Sequence, residues 1–131
     1  MEVRKVNPWS WQDSFGFSQA IEFSGHQRVL VCAGQTSIGA DGAPQHAGDM
    51  KGQINDAFDN LETVLKAAGM TLANVVRLNF YTTTLDELFE HYGVVGEWLG
   101  AANVQPASTV LGVARLAFPE LMIEIEATAV A

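Results

Sequence analysis

The hydrophobic pattern of the sequence predicts an α+β fold in which two helices lie on one face of a mixed β-sheet. Two stretches, 54–68 and 85–99, repeat apolar residues at three- and four-residue steps, the signature of one-sided helices. Five short apolar or alternating runs, 18–23, 28–33, 75–81, 109–116 and 122–130, read as strands. No repeat, low-complexity tract or linker interrupts this order, so residues 1–131 are expected to form a single domain.

Taken along the chain, the first two strands run from Ser18 to Phe23 and from Arg28 to Ala33. Ser24-Gly25-His26-Gln27 separates them, with a glycine able to take the positive φ of a tight turn. Thr36 to Pro44 is a loop punctuated by Gly39, Asp41-Gly42 and Pro44. In the first helix Ile54, Ala57, Phe58, Leu61, Val64, Leu65 and Ala68 share one face, and Asp56, Asp59, Asn60 and Glu62 the other. Gly69 is placed to end it. Between Val75 and Tyr81, Val76, Leu78 and Phe80 alternate with Arg77 and Asn79.

Thr84-Leu85-Asp86-Glu87 has the form of a capping box opening the second helix. The stripe of that helix is Leu85, Leu88, Phe89, Tyr92, Val95 and Leu99, and Gly100 marks its stop. Thr109 to Leu116 and Met122 to Val130 supply the last strands, joined by Ala117-Phe118-Pro119-Glu120. The resulting order is β-β-α-β-α-β-β. Val, Leu and Ile are too frequent for the sheet face away from the helices to be fully solvated.

Hydrophobic residues make up 48% of the chain and charged residues 17%, which favours apolar surface covered by partner subunits. A net charge of −8, with seven Lys and Arg thinly spread, repels a phosphate backbone and excludes nucleic acid as a partner. Cys32 lies alone in the apolar run Val29 to Ala33, where it is expected to be buried and inert; a lone thiol fits a cytoplasmic address. Met1-Glu2-Val3-Arg4-Lys5 lacks the apolar stretch of a signal peptide, and no run approaches the roughly 18 apolar residues that span a bilayer.

His26, His46 and His91 are not spaced with one another, or with Cys or Asp, as metal ligands. The sequence has no phosphate-binding glycine loop and no Gly-x-Ser-x-Gly, and no metal or cofactor is expected. Glu124 and Glu126 stand out. Two residues apart on a strand, they share the face opposite Ile123, Ile125 and Ala127. If another subunit covers that face, one glutamate is desolvated and suited to proton transfer; otherwise the pair is an ordinary solvated strand face.

Three stretches resemble the reactive intermediate deaminase (RidA, YjgF) family. Phe15-Gly16-Phe17-Ser18-Gln19-Ala20 resembles its Gly-Pro-Tyr-x-Gln segment, and Ala33-Gly34-Gln35 its Ser-Gly-Gln. The most specific match is the C-terminal one. It comprises Pro106-Ala107-Ser108-Thr109, Gly112-Val113-Ala114-Arg115-Leu116 and Ile123-Glu124-Ile125-Glu126-Ala127. The resemblance implies a chorismate-mutase-like fold and a homotrimer whose sheets form a central barrel with ligand clefts between subunits. In catalytic members the clefts hydrolyse enamines and imines such as 2-aminoacrylate. There an arginine grips the substrate carboxylate and a glutamate positions the attacking water.

Carried onto this chain, the resemblance keeps the glutamate as Glu124 and puts Ser108 where the arginine stands, Phe17 for a tyrosine and Ala33 for a serine. Losing the two charge-assisted bonds of an Arg–carboxylate fork costs a small 2-imino acid about two or more powers of ten in affinity. Arg115, an odd number of residues from Ser108 on the expected strand, would point to the opposite face and pair with surface carboxylates; Arg77 stays open as a substitute. Phe17, Ala33, Gly34, Tyr92, Ser108 and Val110 are therefore expected to line an apolar cleft with Glu124 as its acid. Two readings follow. One is hydrolysis of an enamine or imine other than 2-aminoacrylate; the other is a non-catalytic trimer binding a small ligand or protein. A nuclease or translation-inhibitor role fits poorly with the negative charge.

Overall fold

A computed structural model describes all residues, 1–131. Its centre is a four-stranded sheet made of β3 (Val29–Gln35), β4 (Val75–Thr82), β5 (Ala107–Gly112) and β6 (Ile123–Val130). The strand order is β3-β6-β4-β5, with β6 antiparallel to both β3 and β4, and β5 parallel to β4. The long crossover that a parallel pair requires is made by α2 (Leu85–Glu90) and α3 (Tyr92–Ala101).

The alternation read from the sequence holds on the two inner strands. Leu78, Phe80, Ile123, Ile125, Ala127 and Ala129 are buried beneath the helices. Glu124 and Glu126, with Arg77, Asn79 and Tyr81, face the other way. Helix α1 (Met50–Ala67) buries Ile54, Ala57, Phe58, Leu61 and Leu65 against β6 and β3. Asp49 caps its start by accepting from the Gly52 N–H at 3.0 Å. At its end Gly69 takes φ 74°, while Gly69 N–H donates to Lys66 O and Met70 N–H to Leu65 O, a Schellman stop.

The buried stripe of α1 also contains Gln53, whose side chain is completely enclosed. Its amide donates to Glu120 O at 2.7 Å and to His46 O at 3.2 Å, and its carbonyl accepts from Met122 N–H at 2.7 Å. This one side chain ties the loop before β6, and hence the start of the Glu124 strand, to the helix.

The structure departs from the sequence pattern in four places. An additional strand, β1 (Glu2–Val6), pairs antiparallel with β2 (Ala20–Ser24) in a separate two-stranded sheet, so β2 does not join β3. It is held by backbone pairing and the exposed Arg4–Glu22 ion pair, with no apolar alternation to announce it. The expected second helix breaks at His91 (φ −108°) into α2 and α3. Glycines 93, 96 and 100, poor helix formers, crowd the segment after the break.

Across this break Leu88, Val95 and Leu99 are buried, whereas Leu85 and Phe89 stay exposed. The capping box does not form: Thr84 makes no side-chain cap, and its own N–H donates to Thr82 Oγ1. Finally, β5 ends at Gly112 and not at Leu116. Val113 N–H takes the carbonyl of Thr82, the last residue of β4, and there is no further partner backbone. No helix is long and apolar enough to cross a membrane.

Candidate active site

On the sheet face away from the helices, Glu124, the second residue of β6, lies beside Tyr81 of β4. Across β6 on its other side, β3 carries a bulge. Cys32 pairs with Ala127 and Gln35 with Ile125, so Ala33 and Gly34 together oppose the single residue Glu126. The bulge brings the Gly34 backbone against the Glu124 side chain. A β-carbon at Gly34 would lie 2.5 Å from Glu124 Cδ and 2.9 Å from its Oε1, so only glycine permits this approach.

Two carboxylates about 7 Å apart along one strand are held in opposite electrostatic conditions. Glu126 accepts from the Tyr81 hydroxyl and from Asn79 Nδ2, the latter at 3.2 Å. These bonds hold its carboxyl below the usual carboxylate range, and the Tyr81 bond pushes the Tyr81 phenol up. Burial pushes Glu124 up instead, with the neighbouring Glu126 charge adding to the effect. Asn79 Oδ1, in the same group, is buried and has no hydrogen-bond partner. Arg77 lies on this face too, its Nη2 donating to Thr109 Oγ1 at 2.8 Å.

A second group of the expected residues meets elsewhere. Phe17, Tyr92, Ser108 and Val110 line an apolar pocket of about 270 Å³ together with Trp11, Phe15 and Phe89. A 3₁₀ turn, Trp11–Phe15, supplies the first aromatics, and Gly16 (φ 76°) reverses the chain to present Phe17. Gln12, fully buried, fixes the turn by donating to Trp9 O at 2.8 Å and accepting from Gln19 Nε2 at 3.2 Å. Phe89 and Tyr92 flank the helix break, in edge contact at 6.1 Å. Ser108 and Val110 pair with Leu78 and Phe80, which puts them on the helix side of the sheet. The Ser108 hydroxyl donates to Pro106 O at 3.2 Å.

Within one chain, the residues expected to line the cleft between subunits fall into two separate groups. Ala33, Gly34 and Glu124 belong to the open sheet face, and Phe17, Tyr92, Ser108 and Val110 to an aromatic pocket on the helix side. The sequence reading missed Trp11, Phe15 and Phe89, although Trp9, Trp11, Phe15 and Phe17 crowd into nine residues. It also missed Tyr81 and Asn79, which were legible only as alternating strand residues.

Arg115 needs correction. It lies in the exposed loop after β5, so the face argument from strand parity does not apply, and it makes no ion pair. His46, at the surface, lies with its Nδ1 2.8 Å from Asp56 Oδ2. No group of three His, Cys, Asp or Glu side chains is placed to hold a metal ion. A larger cavity, about 560 Å³, opens beyond Tyr92 along Gly93, Gly96 and Gly100, with Lys5 and Asp13 in its lining; neither glutamate reaches it.

A mixed four-stranded sheet with helices on one face and an acid pair on the other defines a chorismate-mutase-like α+β protein. Residues 12–131 match the family model described as Endoribonuclease L-PSP, and the chain belongs to this family, that of the Rid and YjgF proteins. It is 31% identical over 113 residues to a RutC family protein of Pyrococcus horikoshii, covering 86% of this chain and 85% of the relative. The crystal structure of YyfB from Yersinia pestis, described as a Rid-family protein of unknown function, superposes with a TM-score of 0.89 at 37% identity, covering 100% of both chains. The YjgF gene product of Escherichia coli, 24% identical over 87% of each chain, shares the fold with a TM-score of 0.70.

Proposed function

We propose that three copies assemble in the cytoplasm with their open sheet faces inward. In the clefts between them, Glu124 directs water onto the C–N bond of an imine or enamine other than 2-aminoacrylate. The observation that carries this reading is the pair of carboxylates pushed in opposite directions. Glu126 is held down by its donors, and Glu124 is raised by burial, the direction that suits a carboxyl to accept and return a proton. The exposure of Val31, at 79%, on the same face supports a covering subunit.

The step balances without a cofactor. An enamine first tautomerises to its imine. Water then attacks the carbon of the protonated imine while the Glu124 carboxylate takes one of its protons, and the C=N electron pair moves to nitrogen, neutralising it. Glu124 returns its proton to the amino group of the tetrahedral adduct. The hydroxyl proton passes back to Glu124 as the C–N bond breaks and a carbonyl forms, and the released ammonia takes that proton and leaves as ammonium. Further covering of Glu124 by a subunit raises its carboxyl more. No Lys or Arg lines the pocket containing Ser108, and Arg77 on the Glu124 face is engaged with Thr109 Oγ1, which together support a substrate that needs no carboxylate grip. The ribonuclease activity in the family's description gains no support from a net charge of −8.

Sedimentation tests the assembly, with a trimer expected. Ammonia release from a panel of enamines generated in situ, compared with Glu124→Gln, tests the chemistry. Loss of release in the variant is the expected result, and undiminished release would sink the reading. Ligand binding with no turnover of any imine would instead favour a binding trimer.

A further inference from the structure

The aromatic pocket has a polarity of its own. One wall is Trp11, Phe15 and Phe17, with Trp11 edge-on to Phe15 at 6.4 Å and to Phe17 at 5.7 Å, both at 74°. The other wall is Phe89 and Tyr92, inclined at 61°. Rings set nearly perpendicular to one another turn π-faces in more than one direction, and π-faces carry partial negative charge. No Lys, Arg or His lines the pocket.

Ser108 is the one non-aromatic polar residue in that lining, and its hydroxyl hydrogen is directed to Pro106 O. What the oxygen offers to a ligand is therefore its remaining acceptor capacity. A net charge of −8 sets the surrounding field in the same direction. A cavity of about 270 Å³ is close to the lower end of small-molecule pockets, enough for one ring and a short arm.

From this geometry we infer that the pocket is an organic-cation site: it takes a ligand with an aromatic or compact alkyl body and an ammonium or iminium nitrogen, and it discriminates against carboxylates. The nitrogen lies against the ring faces and donates to Ser108 Oγ, while the body packs between the two walls. A carboxylate of the same shape would meet ring faces and a lone pair, both repulsive to it. The claim that this site holds the substrate of the hydrolysis rests on the catalytic reading above; the charge preference itself does not.

The test uses two near-isosteric probes of opposite charge, 2-phenylethylamine and 3-phenylpropanoate, titrated calorimetrically into the native protein near neutral pH. The amine is expected to bind on the order of tenfold more tightly than the anion. Phe89→Ala, at a side chain already 53% exposed and so tolerant of truncation, is expected to weaken the amine severalfold. Ser108→Arg is expected to reverse the preference. Equal or tighter binding of the anion to the unmodified protein, or no binding of either probe, overturns the inference. Amine preference without Glu124-dependent hydrolysis supports it and defeats the catalytic reading; Glu124-dependent hydrolysis without amine preference does the converse.

Discussion

Replacing Gly34 by alanine separates the acid's position from the stability of the fold. Gly34 does not adopt a left-handed φ, so alanine meets no backbone penalty there. Its methyl would lie 2.5 Å from Glu124 Cδ and 2.8 Å from Cγ. Carbon atoms rest at about 3.5–4.0 Å, so the carboxyl must move by about 1 Å or more. The obstructing atoms are the outer part of a flexible side chain, and Glu124 yields before the strand does. The expected change in unfolding free energy is therefore within about 1 kcal/mol in either direction.

Catalysis is less tolerant. A displacement of about 1 Å in a catalytic group costs roughly a hundredfold in rate, and that is the expected fall in kcat for ammonia release from a turned-over imine. The pH dependence gives a second readout. A general base is lost as pH falls through its pKa, so the acid limb of the native profile lies above the ordinary carboxylate range because Glu124 is raised. Displaced towards solvent by the added methyl group in the Gly34→Ala variant, the carboxyl loses its burial and the limb moves to lower pH. Native rate with an unmoved limb would refute the role of the Gly34 contact, and a large fall in Tm would refute the claim that the side chain yields first.

Glu124→Gln is expected to stabilise the protein modestly near neutral pH and not at pH 3. A carboxyl raised in the folded state contributes stability below its unfolded pKa and loses it as pH rises through the folded value; paired melting curves check this. Tyr81→Phe removes the largest cause of the lowered Glu126 pKa, so a side-chain carboxyl NMR titration should show the Glu126 midpoint rise towards that of Glu124. Because a lowered carboxyl stabilises above its unfolded pKa and loses this as pH falls through the folded one, the variant should also be less sensitive to acid. Gln53→Leu removes the partner of Met122 N–H and Glu120 O and should cost about 1–3 kcal/mol in urea unfolding. Cys32, buried and with its thiol pushed up by that burial, should react with a thiol reagent only as the protein unfolds.

What the sequence made legible is what the chain buries against itself. The stripes of α1, β4 and β6 contact one another within one copy, so their periods of 3.6 and 2 appear directly as Ile54 to Leu65, Leu78 and Phe80, and Ile123 to Ala129. Strand β1 escaped because its pairing is carried by backbone and an ion pair, neither of which leaves a hydrophobic period. Gln53 escaped because a polar residue on an apolar stripe reads as surface until its three partners are seen. The aromatic pocket draws on the turn at 11–15, Phe17, the ends of α2 and α3, and β5; no local window contains that combination.

The same distinction between local and assembled structure governs the site. Glu124 is reached only from the open face, at the inner strand β6, while Ser108 and Val110 face the helix side of the edge strand β5, with β4 between the two strands. A small ligand inside one chain therefore cannot touch both half-sites, because the sheet itself stands between them. A neighbouring copy presenting its β5 edge and aromatic walls to the first copy's open face would remove that barrier without moving any strand. It would also cover Val31, so one association would satisfy the exposed apolar face and the divided site together. Apolar burial supplies the affinity for such a contact, and completion of the acid–pocket pair would make function depend on it.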